Sequence, residues 1–182
     1  RIQLNDNGLF VTIKTLKRSK KEEGATGEIW KAKVAYEDGH IEDWIFKKDR
    51  VAGSYAMVYE ATIMRHFYGD PDFVQFIGLA KEDGKYVLIT QSAGDENLYH
   101  YMTHSLYEMY MGDKLEFTKF MFRVMKRLAQ QGFVYGDYKL ENIVVRRYGG
   151  KLFFTLVDLG FTSSHWVSAS LTGTPEYFAP EI

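Results

Sequence analysis

The stretch FVYGDYKLENIVV, residues 133–145, sets Asp137, Lys139, Glu141 and Asn142 close together between a helical pattern and a β-branched run. Upstream, over 115–131, Phe117, Phe120, Met121, Val124, Met125 and Leu128 repeat with the period of a core-facing helix, and Gly132 supplies a stop. Downstream, NIVVRR and LFFTLVD flank the turn Tyr148-Gly149-Gly150-Lys151 and read as a hairpin. Antiparallel pairing about Gly149-Gly150 brings Asn142 and Asp158 together at its open end. An amide oxygen and a carboxylate converging there suit a hard cation such as Mg²⁺, which takes few protein oxygens and leaves positions for phosphate. A capped hairpin end in a solvated loop would show the same spacing.

The first third of the chain reads as a β-meander, because LFVTIKTL, EIWKAKVAYEDG and HIEDWIFKK are short, β-branched or aromatic, and separated by turn material such as Glu37-Asp38-Gly39. The basic run KRSKK after Leu16 reads as a surface loop. A helix is expected from Ser54, the N-cap after Gly53. Ala56, Tyr59, Ile63 and Phe67 then share one face with Glu60, which aims a carboxylate inward. FVQFIGLA and YVLIT flank a turn at 81–85, and the loop QSAGDEN leads into a largely helical second part. No repeat or low-complexity tract interrupts this order.

The 182 residues are 46% hydrophobic and 16% aromatic, enough for one sizeable core or two small ones packed together. A balance of 23 Lys and Arg against 24 Asp and Glu offers no long-range attraction to nucleic acid or anionic membrane, so an anionic ligand has to be held locally. The absence of cysteine excludes disulfides and thiolate metal sites. No apolar run approaches the ~20 residues of a membrane span, and the opening RIQLNDNGLF lacks a signal-peptide pattern, so the expected location is cytoplasmic. A chain that opens on Arg and stops just after Pro180 reads as cut from something longer.

In the opening stretch, Asp137 is placed to accept a hydroxyl proton and Lys139 to neutralise a phosphoryl group. The run from Tyr135 to Asn142, YGDYKLEN, resembles the protein-kinase catalytic loop H-R-D-L-x-x-x-N. Asp158-Leu159-Gly160 stands where D-F-G is expected, and Ala179-Pro180-Glu181 closes an activation segment at A-P-E. Trp44-Ile45-Phe46-Lys47 resembles the V-A-I-K strand, and Glu60 fits the helical partner of its Lys. These five elements fall in family order and cover nearly the whole chain. GFVYGDYKLENIV, LVDLGF and GTPEYFAPEI are similar to the AGC group of Ser/Thr kinases, above all the cyclic-nucleotide-dependent ones. Lys139 and the pair Gly173-Thr174 before Tyr177 are similar to the Ser/Thr class.

The resemblance implies an α+β, two-lobed kinase-like fold, with a β-rich N-lobe at 1–90, a hinge at 91–97 and the first half of a mainly helical C-lobe at 98–182. Further chain or a partner would then cover the incomplete C-lobe, and Glu181 has no Arg mate. The implied activity is ATP- and Mg²⁺-dependent phosphorylation of a protein substrate at Ser or Thr. Asp137 would position the hydroxyl, Lys139 would balance charge, and Asn142 and Asp158 would hold the metal. Lys47 would grip the α and β phosphates with Glu60 behind it; strand alternation favours Lys47 over Lys48 because Ile45, over the adenine, shares its face. Gly24, Gly27 and Ile29 stand for the glycine-rich loop, Thr90 for the gatekeeper, Gln91 and Ala93 for the hinge contacts, and Asn97 for a ribose contact. The chain departs from the pattern at Glu22, in place of the first glycine. It departs again at Gly136, in place of the Arg that would pair with a phosphate on Ser170, and at Leu159, in place of Phe. The altered glycine loop keeps an alternative open, a pseudokinase serving as a binding or structural module.

Overall fold

Alternating β-branched and aromatic residues build the first of two compact units, which comprise Arg1–Tyr68 with Gln75–Ser92, and Gly69–Val74 with Ala93–Ile182. The computed structural model describes residues 27–35, 39–104, 109–164 and 174, together with the backbone of 14–24. The first unit is an antiparallel sheet in the order β1-β2-β3-β5-β4, formed by β1 (Lys14–Gly24), β2 (Gly27–Ala35), β3 (Ile41–Asp49), β4 (Phe76–Glu82) and β5 (Lys85–Gln91). One face buries Ala32, Val34, Trp44, Phe46, Val87 and Ile89, with Trp30 stacked on Phe46 at 5.8 Å. Cross-strand pairing puts Ile29, Lys47 and Leu88 in one row of the other face, and Ile45 and Thr90 in the next.

α1 (Ala56–Arg65) contacts β3, β4 and β5. It starts one residue later than an N-cap at Ser54 requires, although the Ser54 hydroxyl does accept from the Ala56 N–H at 3.2 Å. The buried side is Met57, Glu60, Ala61, Ile63 and Met64, so the expected face is rotated: Ala56 and Tyr59 are exposed, and Phe67 is buried beyond the helix end. Glu60 belongs to both faces, which is why its inward aim survives the error. The KRSKK run is not a loop. It lies inside β1 and pairs with β2 through register shifts between Thr15 and Lys17 and between Ser19 and Lys21. β1 is an edge strand, and edges accept charged residues that a central strand would not.

The second unit is built on β6 (Glu96–Asn97), α2 (Leu98–His104), α3 (Met111–Gln130), β7 (Phe133–Tyr135), β8 (Ile143–Tyr148), β9 (Lys151–Leu156) and β10 (Thr162–Ser164). α3 begins four residues before the periodic stretch, where Asp113 accepts from the Tyr110 N–H at 3.2 Å. It buries Phe120, Val124 and Leu128, and Phe117 and Phe120 meet Phe154 of β9 at 5.3 and 5.7 Å. Met125, expected inside, is 49% exposed. With Met111, Leu115 and Phe122, also exposed, it forms a second apolar stripe along the helix.

Residues 69–74 join this unit because Val74 donates to the Leu156 carbonyl and Leu156 donates to that of Asp72, both at 2.9 Å. FVQFIGLA is therefore divided between two units. Arg123 of α3 grips the Asp72 carboxylate with two bonds of 2.7 and 2.8 Å. The β8–β9 hairpin turns at Gly149 (φ +56°) and Gly150 (φ +78°), a left-handed pair that glycine adopts without Cβ strain. Among the described residues no helix is long and apolar enough to cross a membrane.

Candidate active site

In the first unit, β3 and α1 bring two charges together. Lys47 Nζ donates to Glu60 Oε2 at 2.9 Å, with both side chains at least nine-tenths buried. Lys48 points to the other side of the strand, where it pairs with Glu82 at 2.8 Å. Gly24 at the end of β1 pairs with Gly27 at the start of β2. Gly27 is required by a close approach, because a Cβ there would stand 2.2 Å from the Lys48 carbonyl oxygen. Ile45 and Thr90 face one another across β3 and β5. Gln91 N–H donates to the Gln75 carbonyl at 3.0 Å, which leaves only its carbonyl for a hinge contact.

In the second unit the opening stretch closes on itself. After β7 the chain passes through Asp137 and a short 3-10 turn, Leu140–Asn142, into β8. The hairpin register is the expected one, running from Ile143 opposite Leu156 to Tyr148 opposite Lys151. Asn142 and Asp158 are linked at its open end through a third residue. Asn142 Nδ2 donates to the Tyr135 hydroxyl at 2.8 Å, and that hydroxyl donates to the Asp158 carbonyl at 3.1 Å. Tyr135 is buried, with its ring edge-on to Tyr138 at 4.9 Å. Asp158 is left-handed (φ +57°), an uncommon backbone for a residue with a Cβ, and its carboxylate accepts from Gly160 N–H at 3.4 Å. Leu159 is fully buried, and Gly136 N–H donates to the Phe161 carbonyl at 2.9 Å.

Asp137 is 3% exposed and heavily bonded. Thr174 Oγ1 donates to its Oδ1 at 2.6 Å, Lys139 Nζ sits 2.9 Å from its Oδ2, and Asn142 Nδ2 donates to Oδ2 at 2.7 Å. Lys139 also donates to Thr174 Oγ1 at 2.8 Å, which completes a triangle. Burial pushes the Asp137 carboxyl up, but the donors Thr174, Lys139 and Asn142, with the Lys139 charge, outweigh it and hold the group below the ordinary 3.8.

Two expected contacts have other work or another setting. Asn97 Oδ1 accepts from His100 N–H at 2.7 Å and so caps α2. Ala93 lines a cavity of about 950 Å³ in the second unit, among Tyr110, Leu115, Arg146 and Phe153. Ser170, Gly173 and Ala179-Pro180-Glu181 lie outside the described residues. The triangle closed by Thr174 and the bridge made by Tyr135 carried no signal in spacing, since each depends on chain segments brought together from a distance. A strand-end Tyr two residues before Asp137 is the one hint the sequence offers for the bridge.

The oxygen donors suit the expected metal. With its amide nitrogen donating, Asn142 keeps its oxygen as an acceptor, and Asp158 adds a carboxylate, the donor set a hard cation selects. Among the described residues no three His, Cys, Asp or Glu side chains are grouped as for a softer metal. The sequence model of the family described as "Protein kinase domain" matches residues 4–182. No curated protein matches the sequence.

Proposed function

The chain belongs to the protein kinase domain family, and from that premise we propose that it is a serine/threonine kinase, transferring the γ-phosphoryl group of ATP to a protein hydroxyl. The observation that carries the proposal is the triangle of Asp137, Lys139 and Thr174, which holds a buried carboxylate in one orientation through the Lys and Thr that resemble the Ser/Thr class. A carboxylate with a depressed pKa is a weak base, so its work is to orient the acceptor hydroxyl and take up the proton as the new O–P bond forms and the bond to ADP breaks. Lys139 adds positive charge beside it. Lys47, anchored by Glu60, is assigned to the α and β phosphates, and Asn142 and Asp158 to Mg²⁺. When bound, the ion would offset the charge of the phosphates. Thr90, Gln91 and Ala93 are assigned to the adenine, with Ile45 and Ile29 against its ring, and Gly24 and Gly27 to the phosphate side. The AGC likeness of GFVYGDYKLENIV and LVDLGF makes that group the proposed branch.

The deciding experiment is Asp137→Asn. Phosphate transfer to a basic Ser/Thr peptide should fall by about a hundredfold or more while ATP affinity holds. Equal incorporation by both proteins sinks the enzyme reading. Glu22, a negative charge where the family's loop has glycine, favours the pseudokinase reading, for which nucleotide binding without turnover is the expected result.

A further inference from the structure

α2 carries two histidines that phosphoryl transfer does not use. His100 and His104 are one helical turn apart and exposed, and their rings lie parallel, 12° apart in plane with centroids at 4.5 Å. Neighbouring hydrogen bonds decide which ring nitrogen holds the proton. His100 Nδ1 is 3.0 Å from Glu96 Oε2, a carboxylate oxygen that accepts, so the neutral tautomer suited to this contact carries its proton on Nδ1 and leaves Nε2 its lone pair. His104 Nδ1 is 2.6 Å from the Thr103 hydroxyl. That hydroxyl commits its single proton to the Tyr99 carbonyl at 2.8 Å, so its oxygen accepts from His104 Nδ1–H. Both imidazoles therefore offer Nε2 as a donor atom from successive turns of one helix.

We propose that His100 and His104 chelate a divalent transition metal of the imidazole-preferring kind, with Zn²⁺ as the type, through their two Nε2 atoms. Glu96 orients His100 through the other ring nitrogen, as the carboxylate partners of metal-bound histidines do. Zn–N bonds of about 2.0–2.1 Å place two tetrahedral nitrogens roughly 3.3 Å apart. In near-parallel rings the in-plane lone pairs run side by side, so the two exposed rings have to turn about their side-chain bonds for both Nε2 atoms to reach one ion at that spacing. No third His, Cys, Asp or Glu joins the pair among the described residues, so water completes the coordination and affinity is below that of a four-ligand structural site.

The ion would staple a seven-residue helix, too short to be stable alone, that contacts both the Leu140–Asn142 turn and β8. This inference is independent of the kinase reading. The test is calorimetric titration of the full chain, free of any purification tag and of nucleotide, with Zn²⁺ in a non-coordinating buffer. Amide hydrogen exchange of α2 is followed alongside. One ion should bind and slow α2 exchange. His100→Ala and His104→Ala should each weaken binding at least tenfold, Glu96→Gln severalfold, and each should abolish or reduce the slowing in proportion. Replacement of the other three histidines, His40, His66 and His165, by Ala should change nothing. All the substituted side chains tested on α2 are exposed, and unchanged metal-free circular dichroism verifies folding. The proposal is overturned if no ion binds below millimolar concentration. It is equally overturned if either α2 variant binds as wild type does, or if the triple replacement weakens binding as much as His104→Ala.

Discussion

Asp137 links stability to pH in a definite direction. Its folded pKa is depressed, so its stabilising contribution is complete above the ordinary value and is lost as pH falls through the folded one. Wild type and Asp137→Asn should differ in Tm by a constant amount from neutrality to about pH 4, with the gap closing only below that. A gap that closes near pH 6 would contradict the bonding described. Tyr135→Phe removes one hydroxyl from between Asn142 and Asp158 and leaves the ring against Tyr138. Mg²⁺-dependent stabilisation by ATP should then correspond to an affinity about tenfold weaker, near 1.4 kcal/mol; an unchanged thermal shift would deny the bridge its role. The inward aim of Lys47 and Glu60 was legible because strand alternation separates Lys47 from Lys48 and because Glu60 lies on the buried side under either rotation of α1. Thr174 lies 37 positions from Asp137, and no local period reports a meeting at that range.

At the scale of the element, the closest approach to a glycine among the described residues is at Gly27, where β2 pairs with β3. Gly27→Ala places a Cβ against the Lys48 carbonyl, and backbone cannot yield as a flexible side chain would. Unfolding in urea should show a loss of about 1–3 kcal/mol, the range for overpacking, while the exposed Gly39 should tolerate a residue suited to positive φ, such as Asn, with little change. Turn chemistry made the hairpins the most readable elements: Asp83-Gly84 and Gly149-Gly150 both adopt positive φ and fix their registers. Helix ends and faces were less readable. The apolar residues of α1 and α3 exceed one face, so the rotation that buries Met57 rather than Tyr59, or exposes Met125, is settled by what the helix packs on.

For the whole molecule, division into units does not follow chain order, because a segment of six residues, Gly69–Val74, is inserted by the first unit into the second. Native-state hydrogen exchange should find the Val74 amide opening together with that of Leu156, to which it is bonded, rather than with β4 that follows it. Arg123→Ala should destabilise the second unit by about 1–3 kcal/mol, since it strips the buried Asp72 of two donors, a loss readable in the urea midpoint. Sequence could not show this insertion, as FVQFIGLA is one uninterrupted β-like run whose two halves differ only in the partner each finds. The same insertion sets a timetable for the newborn chain. Pro71 accepts from Thr155, 84 positions later, and at about 5–20 residues per second the ribosome delivers the second roughly 4–17 s after the first. From the completion of β5 at Gln91 until Thr155 and Leu156 emerge, the Pro71 and Asp72 carbonyls of the inserted segment still await their partners. Slow translation after residue 92 would therefore lengthen the period of greatest exposure to misassembly.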